Sequence, residues 1–194
     1  MTAPGQRVLI VGLGKVTGAA VADVLFSSGA EVRAHESFPS PAREELARGL
    51  RERGARVSFG EPDEALVEEL LEWAELIVPS PGVPPSNPIL AAALAQEVKV
   101  VSEVELGFPL AKGPVLAVTG TNGKTTTTTL LAEILNEAGK RAEAVGNIGV
   151  PFVTAARDSS PVGFLVAELS SFQLAFIDRF RPAAAIVLNV GDDH

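Results

Sequence analysis

Residues Pro114 to Leu135 read PVLAVTGTNGKTTTTTLLAEIL. Pro114 to Thr119 is an apolar run of strand length, Gly120 to Lys124 is a turn with two glycines, and a helical stretch follows to Ala138. Gly139 stands where a left-handed residue ends a helix. Strand, glycine turn and helix in that order open a βα unit. The chain has an earlier opening of the same kind, with Arg7 to Val11 as strand, a turn at Gly12 to Gly18, a helix to about Ser28, and Glu31 to Glu36 as the next strand. Further strands are expected near Val57, at Leu76 to Val78 and at Val100. Short apolar runs alternating with longer amphipathic stretches predict an α/β fold whose parallel sheets are covered on both faces. Two openings predict two domains, residues 1–102 and 103–194, with the boundary near Ser102. Glu103 to Gly113 is the expected joint, because it holds Gly107, Pro109 and Gly113, although its first turn can itself be helical.

The chain has 194 residues, 46% of them hydrophobic, with 16 Lys+Arg against 24 Asp+Glu and a formal net charge of -8. That composition suits a globular protein with a real core. It argues against nucleic acid as a partner, since no short window is rich in Lys and Arg. The longest apolar run, Ile89 to Ala95, falls far short of the ~20 residues of a membrane helix, so no membrane partner is expected. The absence of Cys removes disulfides, thiolate nucleophiles and cysteine zinc sites, and a cytoplasmic setting is the expectation.

Gly120-Thr121-Asn122-Gly123-Lys124-Thr125 lies between strand and helix, as a phosphate-binding loop must. Glycines let the backbone curl so that successive N–H groups point at one spot, the helix N-terminus adds about half a positive charge, and Lys124 adds an ammonium. Together these can hold a triphosphate in an acidic protein. Thr125 or Thr126 would place a hydroxyl on Mg²⁺. Val118 stands where the usual G-x-x-x-x-G-K-[ST] loop has its first glycine, so the pattern is a variant. The structural alternative is a glycine turn that caps a helix, but the run Thr125 to Thr129 is poor helix material unless its hydroxyls are used.

Gly12-Leu13-Gly14-Lys15-Val16-Thr17-Gly18 is like the dinucleotide turn G-x-G-x-x-G with one extra residue, and Glu36 ends the following strand where it can accept hydrogen bonds from a ribose or base. A tight turn with a solvated acid is the alternative, and an NAD(P)-binding oxidoreductase or a non-enzymatic nucleotide binder are the competing functions. Ser80-Pro81-Gly82 follows the strand ending at Val78, at the same ligand-collecting edge, and reads equally as a rigid turn. Glu168 ends the apolar run from Phe164, where an unpaired carboxylate is costly unless it meets a cation, and Mg²⁺ is the expected one. Ser170 and Gln173 have capping-box spacing for a helix expected to run to about Phe180. Ala185 to Val190 is a further strand before Gly191-Asp192-Asp193-His194, and His194 is either a metal ligand or a frayed end.

Four segments taken together, T-G-T-N-G-K-T-T at Thr119 to Thr126, G-N-I-G at Gly146 to Gly149, E-L-S-S-F-Q-L at Glu168 to Leu174 and N-V-x-x-D-H at Asn189 to His194, resemble the Mur ligases of peptidoglycan synthesis in order and spacing. The S-S-F-Q-L version, with the N-terminal glycine turn and the Ser-Pro-Gly loop, is similar to members that add D-glutamate to UDP-N-acetylmuramoyl-L-alanine. Sister ligases and folylpolyglutamate synthases share the phosphate loop. The resemblance implies a Rossmann-like domain for the UDP part of the substrate up to about Ser102, followed by the first part of a P-loop ATPase domain. Lys15, Val16, Thr17 and Gly18 would face the pyrophosphate, Glu36 and Ser37 the uridine, and Ser80, Gly82 and Asn147 the nucleotide-sugar. Phe38 stands where relatives have an arginine near the uracil.

The implied activity is that of an ATP-dependent acid–amino-acid ligase. The substrate carboxylate attacks the γ-phosphorus to give an acyl phosphate and ADP, and the amine of D-glutamate then displaces phosphate. Lys124, Glu168 and His194 would be the catalytic set, Gly120 to Thr126 the ATP cradle, and Thr125, Glu168 and His194 the Mg²⁺ ligands. A carbamylated lysine beyond His194 would complete the second metal site. The chain is therefore expected to be an amino-terminal fragment, without turnover by itself, and a monomer.

Overall fold

Val8, Leu9, Ile10 and Val11 form a run without polar alternation, as a strand covered on both faces requires, and all four are buried in β1 (Arg7–Val11). The structure is a computed structural model that describes residues 2–14 and 17–191. From β1 the chain continues through α1 (Thr17–Ser27), β2 (Glu31–Glu36), α2 (Pro41–Glu52), β3 (Arg56–Phe59), α3 (Glu64–Trp73), β4 (Leu76–Pro79) and α4 (Pro88–Ala95). After α5 (Glu103–Gly107) come β5 (Val115–Thr119), α6 (Lys124–Glu137), β6 (Arg141–Gly146), α7 (Phe152–Asp158), β7 (Gly163–Glu168), α8 (Ser171–Leu174) and β8 (Ala184–Val187). The chain divides into two compact units, residues 1–103 and 104–194.

Each unit is built on its own parallel sheet, in the order β3-β2-β1-β4 in the first and β6-β7-β5-β8 in the second. In both sheets the first strand of the unit has a neighbour on either side, so the strand order reverses beside it. That reversal opens a crevice at its carboxyl end, where open α/β sheets take ligands. β1 runs into the glycine turn that begins at Gly12, and β5 into the loop that begins at Gly120. The α/β class with parallel sheets is as the sequence predicts.

The second unit is held from both sides of its sheet. Val115, Ala117, Val145, Leu165 and Ala167 pack with Phe152, Ala155 and Ala156 of α7 on one face, and Val118 and Val166 pack with Ala132 of α6 on the other. Phe180 meets Phe108 and Phe152 edge to face, at centroid distances of 5.1 and 6.0 Å. β6 and α7 are not among the elements expected from the sequence, because strand β6 (RAEAVG) carries two charged residues and α7 spans only seven residues.

Three local expectations are corrected. Val100 forms a single bridge with Ile77 instead of a strand. β8 ends at Val187, where its partner β5 gives way to the loop, so Leu188 to Val190 lie outside the ladder. α8 stops at Leu174 instead of running to Phe180. The reason is Glu105 of α5, whose buried carboxylate accepts the N–H groups of Asp178 (3.0 Å), Arg179 (3.0 Å) and Phe180 (2.9 Å) and so turns this segment out of the helical path.

Burial pushes the Glu105 carboxyl upward, but those three N–H donors and the Arg179 charge outweigh it and hold the group below its usual range. A lowered folded-state value means stability that is present above the ordinary carboxylate range and lost as the pH falls below about 4.5. Glu105→Gln should therefore cost about 1 to 3 kcal/mol at neutral pH, and the deficit should shrink in acid, as read by urea unfolding at pH 7 and pH 3.5. An equal deficit at both values would show that shape, not charge, holds the turn. In the first unit, burial pulls His35 below its ordinary value against the opposing influence of Glu36, Gly60 and Glu61, so the ring is neutral and shares a 2.9 Å hydrogen bond with the Ser58 hydroxyl.

Candidate functional site

The loop after β5 is shaped by close approach. An added Cβ on Gly120 (φ +144) would lie 3.1 Å from the backbone N and O of Asn189, so the chain can pass there only as glycine. Gly123 (φ +85) starts α6 without a side-chain cap. Thr127 is the first residue of the helix with an N–H bonded in the turn, to Gly123 O at 3.0 Å. Among the described residues no acceptor takes the N–H groups of Gly123, Lys124, Thr125 and Thr126. These four donors converge at the positive end of the helix macrodipole, which is the physical requirement for holding a phosphate. Lys124 lies over the same turn, its Nζ donating to Gly120 O (2.6 Å) and Thr121 O (2.9 Å).

The threonine run divides by position. Thr125 and Thr126 are exposed at the mouth of the loop, whereas Thr128 is buried and donates back to Lys124 O at 2.8 Å. The Thr128 hydroxyl thus serves the helix, while those of Thr125 and Thr126 remain open to a ligand.

Glu168 ends β7 beside this loop. It is the register partner of Val118 on one side and Gly146 on the other, and Thr119 donates from Oγ1 to Leu169 O at 2.9 Å. Glu168 is 3% exposed. Its Oε1 receives a long hydrogen bond from Asn147 Nδ2 (3.4 Å), and its Oε2 is buried with no hydrogen-bond partner among the described residues. Such an oxygen is costly unless a cation meets it, and a hard divalent ion is suited to a carboxylate and a threonine hydroxyl. Among the described residues no group of three or more acidic or histidine side chains could hold a metal. Close packing holds the main chain of Glu168: Asn147 N–H donates to its carbonyl O at 3.0 Å, and a Cβ on Gly146 would stand 2.4 Å from that same oxygen. Ser170 and Gln173 form a full capping box on α8. His194, expected as a metal ligand, lies outside the described residues.

In the first unit the glycine turn is braced from two sides. Glu36, 4% exposed, accepts Leu13 N–H at 2.7 Å and Phe38 N–H at 2.9 Å, and its Oε2 is 3.3 Å from Arg43 Nε. Ser80 donates to Gly12 O at 2.6 Å and receives Gly14 N–H at 3.4 Å. Glu36 Oε2 and Ser80 Oγ thus brace the turn, a use that spacing alone does not reveal. Thr17 and Gly18 open α1, Ser37 is half-buried, Gly82 and Asn147 are exposed, and Phe38 projects with 69% exposure. Lys15 and Val16 lie outside the described residues. The sequence motif at Asn189 to His194 gives Asn189 no role of its own, yet its side chain meets the Asn122 backbone in the loop after β5.

Residues 6–102 match the N-terminal domain of MurD-like Mur ligases, and residues 118–194 match the Mur ligase middle domain. The chain belongs to the Mur ligase family. Among curated Mur ligases it is 43% identical over 189 residues to the UDP-N-acetylmuramoylalanine–D-glutamate ligase of Geobacillus kaustophilus, covering 97% of this chain and 41% of the relative. It is 37% identical over 194 residues to the enzyme of the same name from Thermoanaerobacter pseudethanolicus, covering 100% and 42%. The chain thus spans about two-fifths of the length of these relatives. Among solved structures, the UDP-N-acetylmuramate:L-alanyl-gamma-D-glutamyl-meso-diaminopimelate ligase of Neisseria meningitides matches with a TM-score of 0.55 at 23% identity, covering 98% of this chain and 62% of that one. That likeness concerns the Mur ligase fold. Among the described residues no helix is long and apolar enough to cross a membrane.

Proposed function

We propose that this chain carries the nucleotide-sugar unit and the start of the ATP-binding unit of a ligase that joins D-glutamate to UDP-N-acetylmuramoyl-L-alanine in peptidoglycan synthesis. The observation that carries the reading is the pairing of four open N–H donors at Gly123 to Thr126 with the donorless Glu168 Oε2 across one sheet edge. It is supported by relatives at 37 and 43% identity that bear this ligase's name.

In this reading residues 1–102 bind the UDP part of the substrate. Glu36 and Ser80 act by fixing the glycine turn, and Lys15 to Gly18, Ser37 and Gly82 contact the ligand. Residues 103–194 bind ATP. Their open N–H groups and the Lys124 ammonium receive phosphate oxygens and stabilise the negative charge that develops as the substrate carboxylate approaches the γ-phosphorus. Glu168, a threonine hydroxyl and His194 would hold Mg²⁺, which would supply charge neutralisation on the phosphates. Exclusion of water protects the acyl phosphate until the amine of D-glutamate displaces phosphate and the amide forms. The setting is the cytoplasm and the protein is monomeric.

Calorimetric titration of this chain tests the reading. UDP-N-acetylmuramoyl-L-alanine should give a saturable heat and NAD none. Binding of NAD alone would replace the ligase by an oxidoreductase built on the first glycine turn.

A further inference from the structure

A helix that begins at Lys124 could gain a turn backwards if the carbonyls of Gly120, Thr121 and Asn122 accepted the N–H groups of Lys124, Thr125 and Thr126, each four residues on. That closure would consume three of the four donors available to a phosphate. In the structure every one of those carbonyls is held by something else. Lys124 Nζ takes Gly120 O and Thr121 O, and Asn189 Nδ2 takes Asn122 O at 2.9 Å. The lysine must leave its carbonyls to reach a ligand, whereas Asn189 has no such second task.

The Asn189 side chain also accepts Asn122 N–H through Oδ1 at 2.8 Å, so its amide pairs with the Asn122 backbone reciprocally, as a neighbouring strand would. Only Asn or Gln offers a donor and an acceptor in one plane, and Asn189 carries them on the shorter stem. The contact continues along the chain: Thr121 N–H donates to Asn189 O at 3.2 Å, and Gly191 N–H donates to Thr121 Oγ1 at 2.9 Å. The close approach at Gly120 is to the same residue. The segment after β8 thus follows the segment after β5 past the end of the ladder, through the Leu188 and Thr121 backbone bonds and then through the one side-chain amide of Asn189.

We infer that Asn189 is a positioning residue for nucleotide binding, which keeps the loop from closing into the helix and so keeps its phosphate donors open. The inference rests on the ATP reading above for the identity of the ligand, and on the hydrogen bonds for the brace itself. A loop that is competent only part of the time binds more weakly in proportion.

Amide exchange by NMR and titration with a fluorescent ATP analogue and Mg²⁺ test it on this chain. Asn122 N–H should exchange at least about tenfold more slowly than Lys124 N–H, although both lie in the surface loop. In Asn189→Ala the two rates should converge and nucleotide affinity should fall about tenfold, with the amides of Val118 and Val166 still protected. Asn189→Asp keeps the acceptor and loses the donor, so it should protect Asn122 N–H yet bind nucleotide weakly; it also carries the test if the alanine variant unfolds. Unchanged Asn122 exchange in Asn189→Ala, or unchanged affinity in both variants, would overturn the inference. If the unaltered chain binds no nucleotide, the ATP reading fails, and the Asn122 exchange rates alone decide whether the brace exists.

Discussion

Lys124→Ala should lower the affinity of this chain for MgATP by about 10- to 150-fold, the equivalent of the ~1.5 to 3 kcal/mol that a charge-assisted contact contributes. Two effects act in the same direction. The ammonium is a full positive charge at the mouth of a loop in a chain of net charge -8, where long-range attraction for a triphosphate is otherwise missing. Its removal also frees Gly120 O and Thr121 O to accept the N–H groups of Lys124's replacement and Thr125, which closes donors that the ligand needs. The second effect predicts something that loss of charge alone does not: the alanine variant should gain helix at the start of α6, seen as slowed exchange of the Thr125 amide. Lys124→Arg should keep the electrostatic attraction and lose fit. Titration with a nucleotide analogue at two salt concentrations checks the first effect, since the variant should lose part of the salt dependence. An affinity within threefold of the unaltered chain would remove Lys124 from the site.

Much of this was legible before any coordinates. The two strand-to-helix openings are written in runs such as VLIV and VLAV that no other element type accommodates beside a glycine turn, and parallel sheets followed from them. The place of Glu168 at the end of an apolar strand is legible as well, since the run from Phe164 stops at it. What was not legible depended on long-range partners. Glu105 reads as one more charge in a short helix, yet it captures three N–H groups over seventy residues away and ends α8 early. Glu36 and Ser80 are expected from the sequence as ligand contacts, and only the fold reveals that Glu36 Oε2 meets Leu13 and that Ser80 Oγ meets Gly12 and Gly14. Asn189 is the clearest instance, since its partners are the backbone atoms of Asn122, and backbone atoms leave no mark in a sequence.

Glu168→Gln should separate stability from function. In metal-free buffer the variant should be at least as stable as the unaltered chain, and by up to about 1 kcal/mol more so, because it replaces a buried acidic side chain whose Oε2 has no donor among the described residues. The Asn147 contact to Oε1 survives the change, and the shape of the side chain is kept. With Mg²⁺ present the order should reverse. The unaltered chain should bind the nucleotide analogue more tightly in magnesium than in EDTA, and the variant should bind it equally in both, since a neutral amide is a weak ligand for a hard divalent ion. Thermal unfolding and nucleotide titration, each with magnesium and with EDTA, give the four numbers required. A purely structural Glu168 predicts the opposite pair, a variant that is less stable in EDTA and still responsive to magnesium. The two accounts therefore diverge in sign on both measurements, and they do so because the Oε2 of buried Glu168, beside the loop after β5, has no hydrogen-bond partner among the described residues, so a cation from outside them would supply what it lacks.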